Sequence, residues 1–232
     1  MADGRRRSAG GRAGLLGAGW WGVPLGALLA VVLAGCGGGQ VGPAQVVRGD
    51  DDGMNGAVLA TPYPVADTPL TDTSGAPFSL ATDPHTPLTL VFFGYTHCPD
   101  ICQLVMANLA SAMTHLDDQQ RSQVSVVFVT TDPARDDAAT IRAYLDRFDP
   151  TFIGLTGKLA TITSLADSMG VYIARGRKLP SGGYEVDHGT PVVAITSGAA
   201  GSPPEAPLVW TQGTSPGAIA EDVVRLLDQE AP

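Results

Sequence analysis

The run Leu88-Thr89-Leu90-Val91-Phe92-Phe93-Gly94-Tyr95 is almost wholly apolar. A strand with no polar face has to be covered on both sides, so it belongs in the middle of a sheet rather than at its edge. It leads directly into Thr96-His97-Cys98-Pro99-Asp100-Ile101-Cys102, after which apolar residues recur at Ile101, Val105, Leu109, Ala112 and Leu116. Steps of four and three predict an amphipathic helix with one buried stripe. Two cysteines therefore stand where a buried strand turns into a helix, with Pro99 suited to the first helical turn and Asp100 complementing the dipole. The first N–H groups of a helix have no internal partner, and the positive dipole end favours thiolate over thiol. A spacing of four puts both sulfurs on one helical face, within reach of a shared metal ion or, if the turn relaxes, of a disulfide.

The pattern on either side of this turn alternates. Val65–Leu70 reads as an edge strand made irregular by Pro64 and Pro69, and Thr73-Ser74-Gly75-Ala76 as a turn toward Phe78–Leu80. Val124–Val129 is a second buried strand, followed by a break at Thr131-Asp132-Pro133 and a helix over Asp137–Phe148. A short strand at Phe152–Leu155, a helix over Leu159–Met169 and a strand at Val171–Ala174 come next. Ser181-Gly182-Gly183 is a hairpin-type turn before Tyr184–Val186, and Pro191–Thr196 is a further β run. Beyond a Pro-rich loop at Ala199–Pro207, Leu208–Thr211 makes a last strand. Ile219, Val223, Leu226 and Leu227 line a closing helix. This order argues for an α/β fold: a thioredoxin-like sandwich with a central mixed sheet flanked by helices and a β-hairpin.

The first thirty-five of the 232 residues follow a different logic. Arg5, Arg6, Arg7 and Arg12 precede an apolar stretch from Leu25 to Leu33, and Leu33-Ala34-Gly35-Cys36 closes it. This is the pattern of an export signal. The small residues before the cysteine resemble the lipobox of bacterial lipoproteins, in which cleavage leaves a lipid-carrying cysteine. The competing reading is an uncleaved membrane helix, for which the apolar core is short. The expected organisation is a lipoprotein signal peptide over residues 1–35, a flexible tether over 36–60 with lipidated Cys36, and one domain over 61–232. The tether is Gly-rich, carries Asp50, Asp51 and Asp52 in a row and lacks apolar periodicity. Loss of residues 1–35 removes four of the 14 basic and one of the 23 acidic residues, leaving a formal charge of −12. That balance argues against nucleic acid as a partner. With Cys36 acylated, Cys98 and Cys102 remain as an even pair of thiols in an oxidising compartment.

The runs Phe93-Gly94-Tyr95-Thr96-His97-Cys98-Pro99-Asp100-Ile101-Cys102, Asp132-Pro133-Ala134-Arg135-Asp136, Phe152-Ile153-Gly154-Leu155-Thr156-Gly157 and Val186-Asp187-His188 resemble the SCO/SenC family in order and spacing, over about Tyr63–Leu227. The resemblance implies a thioredoxin-like domain on the extracytoplasmic face of the membrane, here lipid-anchored. It implies a metallochaperone that helps build the dinuclear copper centre of cytochrome c oxidase. Its two motif cysteines and one distant histidine hold copper, which by motif position makes Cys98, Cys102 and His188 the ligands of Cu(I), Cu(II) or both. Soft thiolates suit Cu(I), imidazole suits either state, and an incomplete shell lets the ion leave. The implied partners are the oxidase subunit carrying the dinuclear site, an extracytoplasmic copper donor and a thiol reductant. The chain departs from the family pattern at Gln103, where proline is frequent, and at Gly189, where a hydroxyl residue is common. Thr190-Pro191 resembles the proline that faces the cysteines of thioredoxins.

Each of these residues has a plainer reading. Cys98 and Cys102 can form a structural disulfide, although a pair at one turn staples nothing distant. They can also serve a thiol-disulfide oxidoreductase, in which one thiolate attacks and the other resolves, with three intervening residues rather than the two of a thioredoxin motif. A peroxide-reducing site needs a hydroxyl and an arginine near the sulfur, for which the chain offers Thr96 and Arg135. His97 is placed to tune its neighbouring thiol or to pack, and His85 and His115 to face solvent. Met106, Met113 and Met169 fall at helical packing positions. Asp132, Arg135 and Asp136 suggest a helix-start turn with an internal ion pair, and Asp187 an orienting partner for His188.

Overall fold

A computed structural model describes residues 46–47, 53–178, 184–197 and 202–230. In chain order the elements are β1 (Val46–Val47), β2 (Ala57–Pro64), β3 (Leu70–Asp72), β4 (Pro77–Phe78), β5 (Leu88–Gly94), α1 (Ile101–Thr114), α2 (Asp118–Arg121), β6 (Val124–Thr130), α3 (Ala138–Leu145), β7 (Ile153–Thr156), α4 (Leu159–Ser168), β8 (Ile173–Lys178), β9 (Tyr184–His188), β10 (Val192–Thr196), β11 (Glu205–Trp210) and α5 (Pro216–Glu230). Residues 1–35, Cys36 and the turn Ser181-Gly182-Gly183 lie outside the described residues.

Among the described residues nine strands form one mixed sheet in the order β1-β2-β11-β10-β5-β6-β7-β3-β4, and β8 and β9 pair separately. The apolar run of β5 occupies the centre, parallel to β6 and antiparallel to β10. Alternation sends its side chains to two cores. Leu88, Leu90 and Phe92 join Val126 and Phe128 of β6 under α1, α3 and α5, through Val105, Leu109, Ile141, Leu145, Val223 and Leu226. Val91 and Phe93 join Val127 and Val129 against Ile162, Leu165 and Ala166 of α4 on the opposite face. A helix-sheet-helix sandwich results, as the alternation of the sequence requires, and it explains why β5 has no polar side.

Several boundaries differ from the sequence reading. The irregular strand expected at Val65–Leu70 is instead two: β2, which ends at Pro64, and the short β3, which begins at Leu70. Strand β2 starts at Ala57, inside the stretch 36–60 read as a tether, and Val46 and Val47 pair with Leu59 and Val58. The start is fixed from far away. Fully buried Asp222 of α5 accepts hydrogen bonds from the N–H groups of Asn55 and Gly56 and from Trp210 Nε1, each at 2.8 Å. Such a carboxylate satisfies donors that local sequence cannot reveal. Helix α1 begins at Ile101, so Pro99 precedes the cap residue Asp100 rather than entering the first turn. Strand β11 takes in Glu205–Pro207, residues read as loop.

The pairing of β10 with β5 positions the site. Val192 stands opposite Phe92 in an antiparallel ladder. Residues just before Val192 therefore run beside those just after Phe92, which brings the end of β9 to the start of α1.

Candidate metal centre

Cys98 lies in the loop between β5 and α1, and Cys102 on the first turn of α1. Asp100 makes no side-chain cap for the helix. In its place the Cys98 sulfur accepts the Cys102 N–H at 3.5 Å. A helix N-terminus thus faces a sulfur, which is where negative charge is stabilised. Cys98 is 6% exposed and lines a cleft of about 390 Å³ with Tyr95, Tyr172, Val186 and His188, whereas Cys102 is wholly buried. Both are free thiols.

His188, at the end of β9, reaches the same place. Its Nε2 is 3.6 Å from Cys102 Sγ across 86 residues of sequence. The ring stands edge-on to Tyr95 at 5.8 Å and to Phe92 at 6.2 Å between centroids. Its Nδ1 lies 2.8 Å from the Gly189 carbonyl. A carbonyl only accepts, so Nδ1 donates, and Nε2 is the nitrogen turned toward the sulfurs. The orienting partner is thus the Gly189 carbonyl rather than Asp187, whose side chain is exposed because neighbouring strand residues point to opposite faces. Gly189 N–H donates in turn to the Tyr172 carbonyl at 2.7 Å.

The two thiols diverge in acidity. Cys98 is held down to about 3, chiefly by a hydrogen bond from Cys102, against the opposing effect of burial and with help from His188 and the N–H groups of Asp100 and Cys102. Cys102 is pushed far up by that same hydrogen bond, by burial and by the negative charges of Cys98 and Asp136. The pair therefore gives up its first proton at Cys98 and keeps the second at Cys102.

The acidic motif supports the site from behind. Buried Asp136 accepts from Thr96 N–H at 2.9 Å, Thr96 Oγ1 at 2.6 Å and Thr130 Oγ1 at 2.7 Å, fixing the loop that carries Cys98. His97 leans on Asp136 at 3.5 Å and on Thr96 Oγ1 at 3.0 Å, and its side chain is half exposed. Arg135 pairs with Asp132, the internal ion pair expected of this turn. Met106, Met113 and Met169 are buried in the two cores, and His85 and His115 are exposed, as expected. What the sequence reading missed is Gly94 beneath the cysteines. A Cβ there would stand 2.7 Å from the Phe92 ring, 3.0 Å from Phe128 and 3.2 Å from Cys102 Sγ. A glycine ending an otherwise apolar strand was the available signal of such close approach.

Cys98, Cys102 and His188 are thus brought together. Among the described residues no group of three or more His, Cys, Asp or Glu side chains is arranged as it stands to hold a metal ion. The donor chemistry, two sulfurs and one imidazole nitrogen, fits a soft ion. Among the described residues no helix is long and apolar enough to cross a membrane.

Known proteins share this sequence and architecture. The mitochondrial SCO2 protein of Saccharomyces cerevisiae is 35% identical over 120 residues, which is 51% of this chain and 40% of that protein. The chain thus matches about two fifths of that relative's length. The solution structure of apo Sco1 from Thermus thermophilus superposes with a TM-score of 0.65 at 28% identity, covering 77% of this chain and 99% of that one. A copper-bound ScoI from Arabidopsis thaliana gives 0.59 at 26% identity, covering 73% and 98%. The SCO1/SenC family model matches residues 65–227, a span that runs from the end of β2 to the last turns of α5 and takes in both cysteines and the histidine. The chain belongs to the SCO1/SenC family.

Proposed function

We propose that this protein is an extracytoplasmic copper-binding metallochaperone that passes copper to the dinuclear copper site of cytochrome c oxidase. The observation that carries the reading is the contact of His188 Nε2 with Cys102 Sγ at 3.6 Å, beside the Cys98 sulfur. Copper is cargo here. Cys98 offers a thiolate at neutral pH, Cys102 a thiol that gives up its proton as the metal binds, and His188 an imidazole nitrogen. Three protein donors leave room for an incoming thiolate from the recipient, so the ion can leave by ligand exchange without passing through water. The cleft opens on the Cys98 side, where such a donor would enter. The copper-bound relative from Arabidopsis thaliana supports the same cargo. In this reading residues 1–35 are a cleaved signal, Cys36 carries the lipid, and the anchored domain meets an oxidase subunit, a copper donor and a thiol reductant outside the cytoplasm.

Copper titration of the reduced full-length chain is expected to saturate at about one equivalent. His188→Ala is expected to weaken binding at least tenfold, consistent with removing one of three ligands, while both thiols still oxidise. Unchanged affinity in that variant would remove His188 from the site and with it the reading.

A second reading has its own observation. The lowered pKa of Cys98 and its place on the cleft fit the attacking thiol of a thiol-disulfide oxidoreductase, with Cys102 resolving. The same variant separates the two: disulfide reduction would survive loss of His188, whereas copper affinity would not.

A further inference from the structure

Strands β8 and β9 form a two-stranded ladder outside the main sheet. An isolated pair of strands is marginal in water, so its position depends on what it is docked against. Its seating is not tight: a cavity of about 280 Å³ lies between the hairpin residues Ile173, Ala174, Tyr184 and Val186 and the facing residues Leu159 and Thr163 of α4, with Thr131–Ala134 closing one side. Yet this hairpin delivers His188.

Tyr184, Val186 and His188 alternate along β9 and so share one face. Val186 packs against the core that contains Cys102. Tyr184, roughly 13 Å up the strand from His188 at about 3.3 Å per residue, is gripped three ways. Its hydroxyl donates to Asp132 Oδ1 at 2.6 Å, and its backbone carbonyl accepts from Arg135 Nη2 at 3.1 Å. Its ring lies under the Arg135 guanidinium at 3.9 Å. Arg135 is itself locked to the other oxygen of Asp132, so the three side chains form a closed unit. The loop that carries it runs directly from β6, a central strand, into α3, whereas among the described residues β8 and β9 have no ladder to that sheet.

The geometry points to Asp132, Arg135 and Tyr184 as positioning residues: a clamp that sets the register of β9 against the sheet and thereby holds the His188 imidazole at Cys102. The inference rests on the reading of His188 as a copper ligand, and it adds the device that brings this ligand in from a strand outside the sheet. Loosening the clamp is expected to cost the histidine ligand and spare the thiols.

The test is a pair of variants in the full-length reduced chain, Tyr184→Phe, which deletes only the hydroxyl, and Arg135→Gln. In the metal-free protein, NMR of the His188 ring is expected to move toward the free-imidazole position, more in Arg135→Gln than in Tyr184→Phe. Thermal melting shows that both variants are folded. Copper affinity is expected to fall about threefold in Tyr184→Phe and at least tenfold in Arg135→Gln. In a His188→Ala background neither substitution should weaken copper binding further, because the ligand they position is already gone. An unmoved His188 resonance in both variants would overturn the clamp whatever the copper result. Equal losses with and without His188 would overturn it as well, since the effect would then be general. A His188→Ala variant with wild-type copper affinity would instead sink the ligand assignment, leaving the metal-free resonance to decide the clamp.

Discussion

Alkylation of Cys98 by iodoacetamide in the metal-free, reduced protein is expected to proceed at a nearly constant rate from pH 5 to pH 8, while Cys102 stays unmodified. An ordinary thiol, ionising at about 8.5–9.0, changes its thiolate fraction by roughly a thousandfold from pH 5 to pH 8. Cys98, held at about 3, is fully ionised throughout. Low basicity also weakens a nucleophile, with a Brønsted slope of about 0.4–0.5, so each thiolate is slower than a normal one. At pH 5 ionisation wins, and Cys98 is expected to outrun a free thiol by roughly an order of magnitude. At pH 8 the order reverses. Peptide mass spectrometry assigns the site, and a rate that climbs tenfold per pH unit would show that neither the helix N-terminus nor Cys102 stabilises the thiolate.

The same shift ties stability to pH. Between about 3 and the ordinary thiol value of 9.0, the unfolded chain holds a proton on Cys98 that the folded chain lacks. Stability therefore rises with pH across that window and is lost as pH falls toward 3. Above 9.0 the sign reverses, because the folded chain keeps a proton on Cys102 that the unfolded chain releases.

Gly94→Ala is expected to destabilise the protein by about 2–3 kcal/mol, in the upper part of the range for overpacking a filled core. The backbone at Gly94 is not in the left-handed region, so the cost is steric rather than conformational. The new methyl would meet the Phe92 and Phe128 rings, which neighbouring strands hold in place, and the sulfur of Cys102. The sulfur is the softest of the three neighbours and would yield first, so the variant should also weaken copper binding. Urea unfolding measures the first effect. A loss below about 0.5 kcal/mol would mean that the floor beneath Cys102 is looser than described.

The sheet centre was legible in the sequence because its signal is local. A run without a polar face can only be covered twice, and β5 and β6 each feed two cores. Elements held by distant partners were not legible. Strand β2 begins where it does because Asp222, 166 residues away, binds the Gly56 N–H, and no periodicity between residues 37 and 59 hints at it. The four-residue α2 is too short for an apolar stripe, and its capping box at Asp117 and Gln120 was the only cue. At the site, the cysteine pair followed from its place at a strand-to-helix turn. His188 followed only from family resemblance, since a lone histidine in a β run has no local signature. Its route into the site, through the pairing of Val192 with Phe92 and the grip of Asp132 and Arg135 on Tyr184, is a property of the fold. The Asp132–Asp136 motif was read as a helix-start turn. It is that, and it also anchors the loop of Cys98 through Asp136 and the strand of His188 through Arg135.

X-ray absorption at the copper edge on the reduced, copper-loaded full-length chain tests the central claim most directly. The account predicts two sulfur neighbours and at least one imidazole nitrogen, with the nitrogen lost in His188→Ala and one sulfur lost in either Cys98→Ser or Cys102→Ser. A shell of sulfur alone, unaltered by His188→Ala, would contradict it.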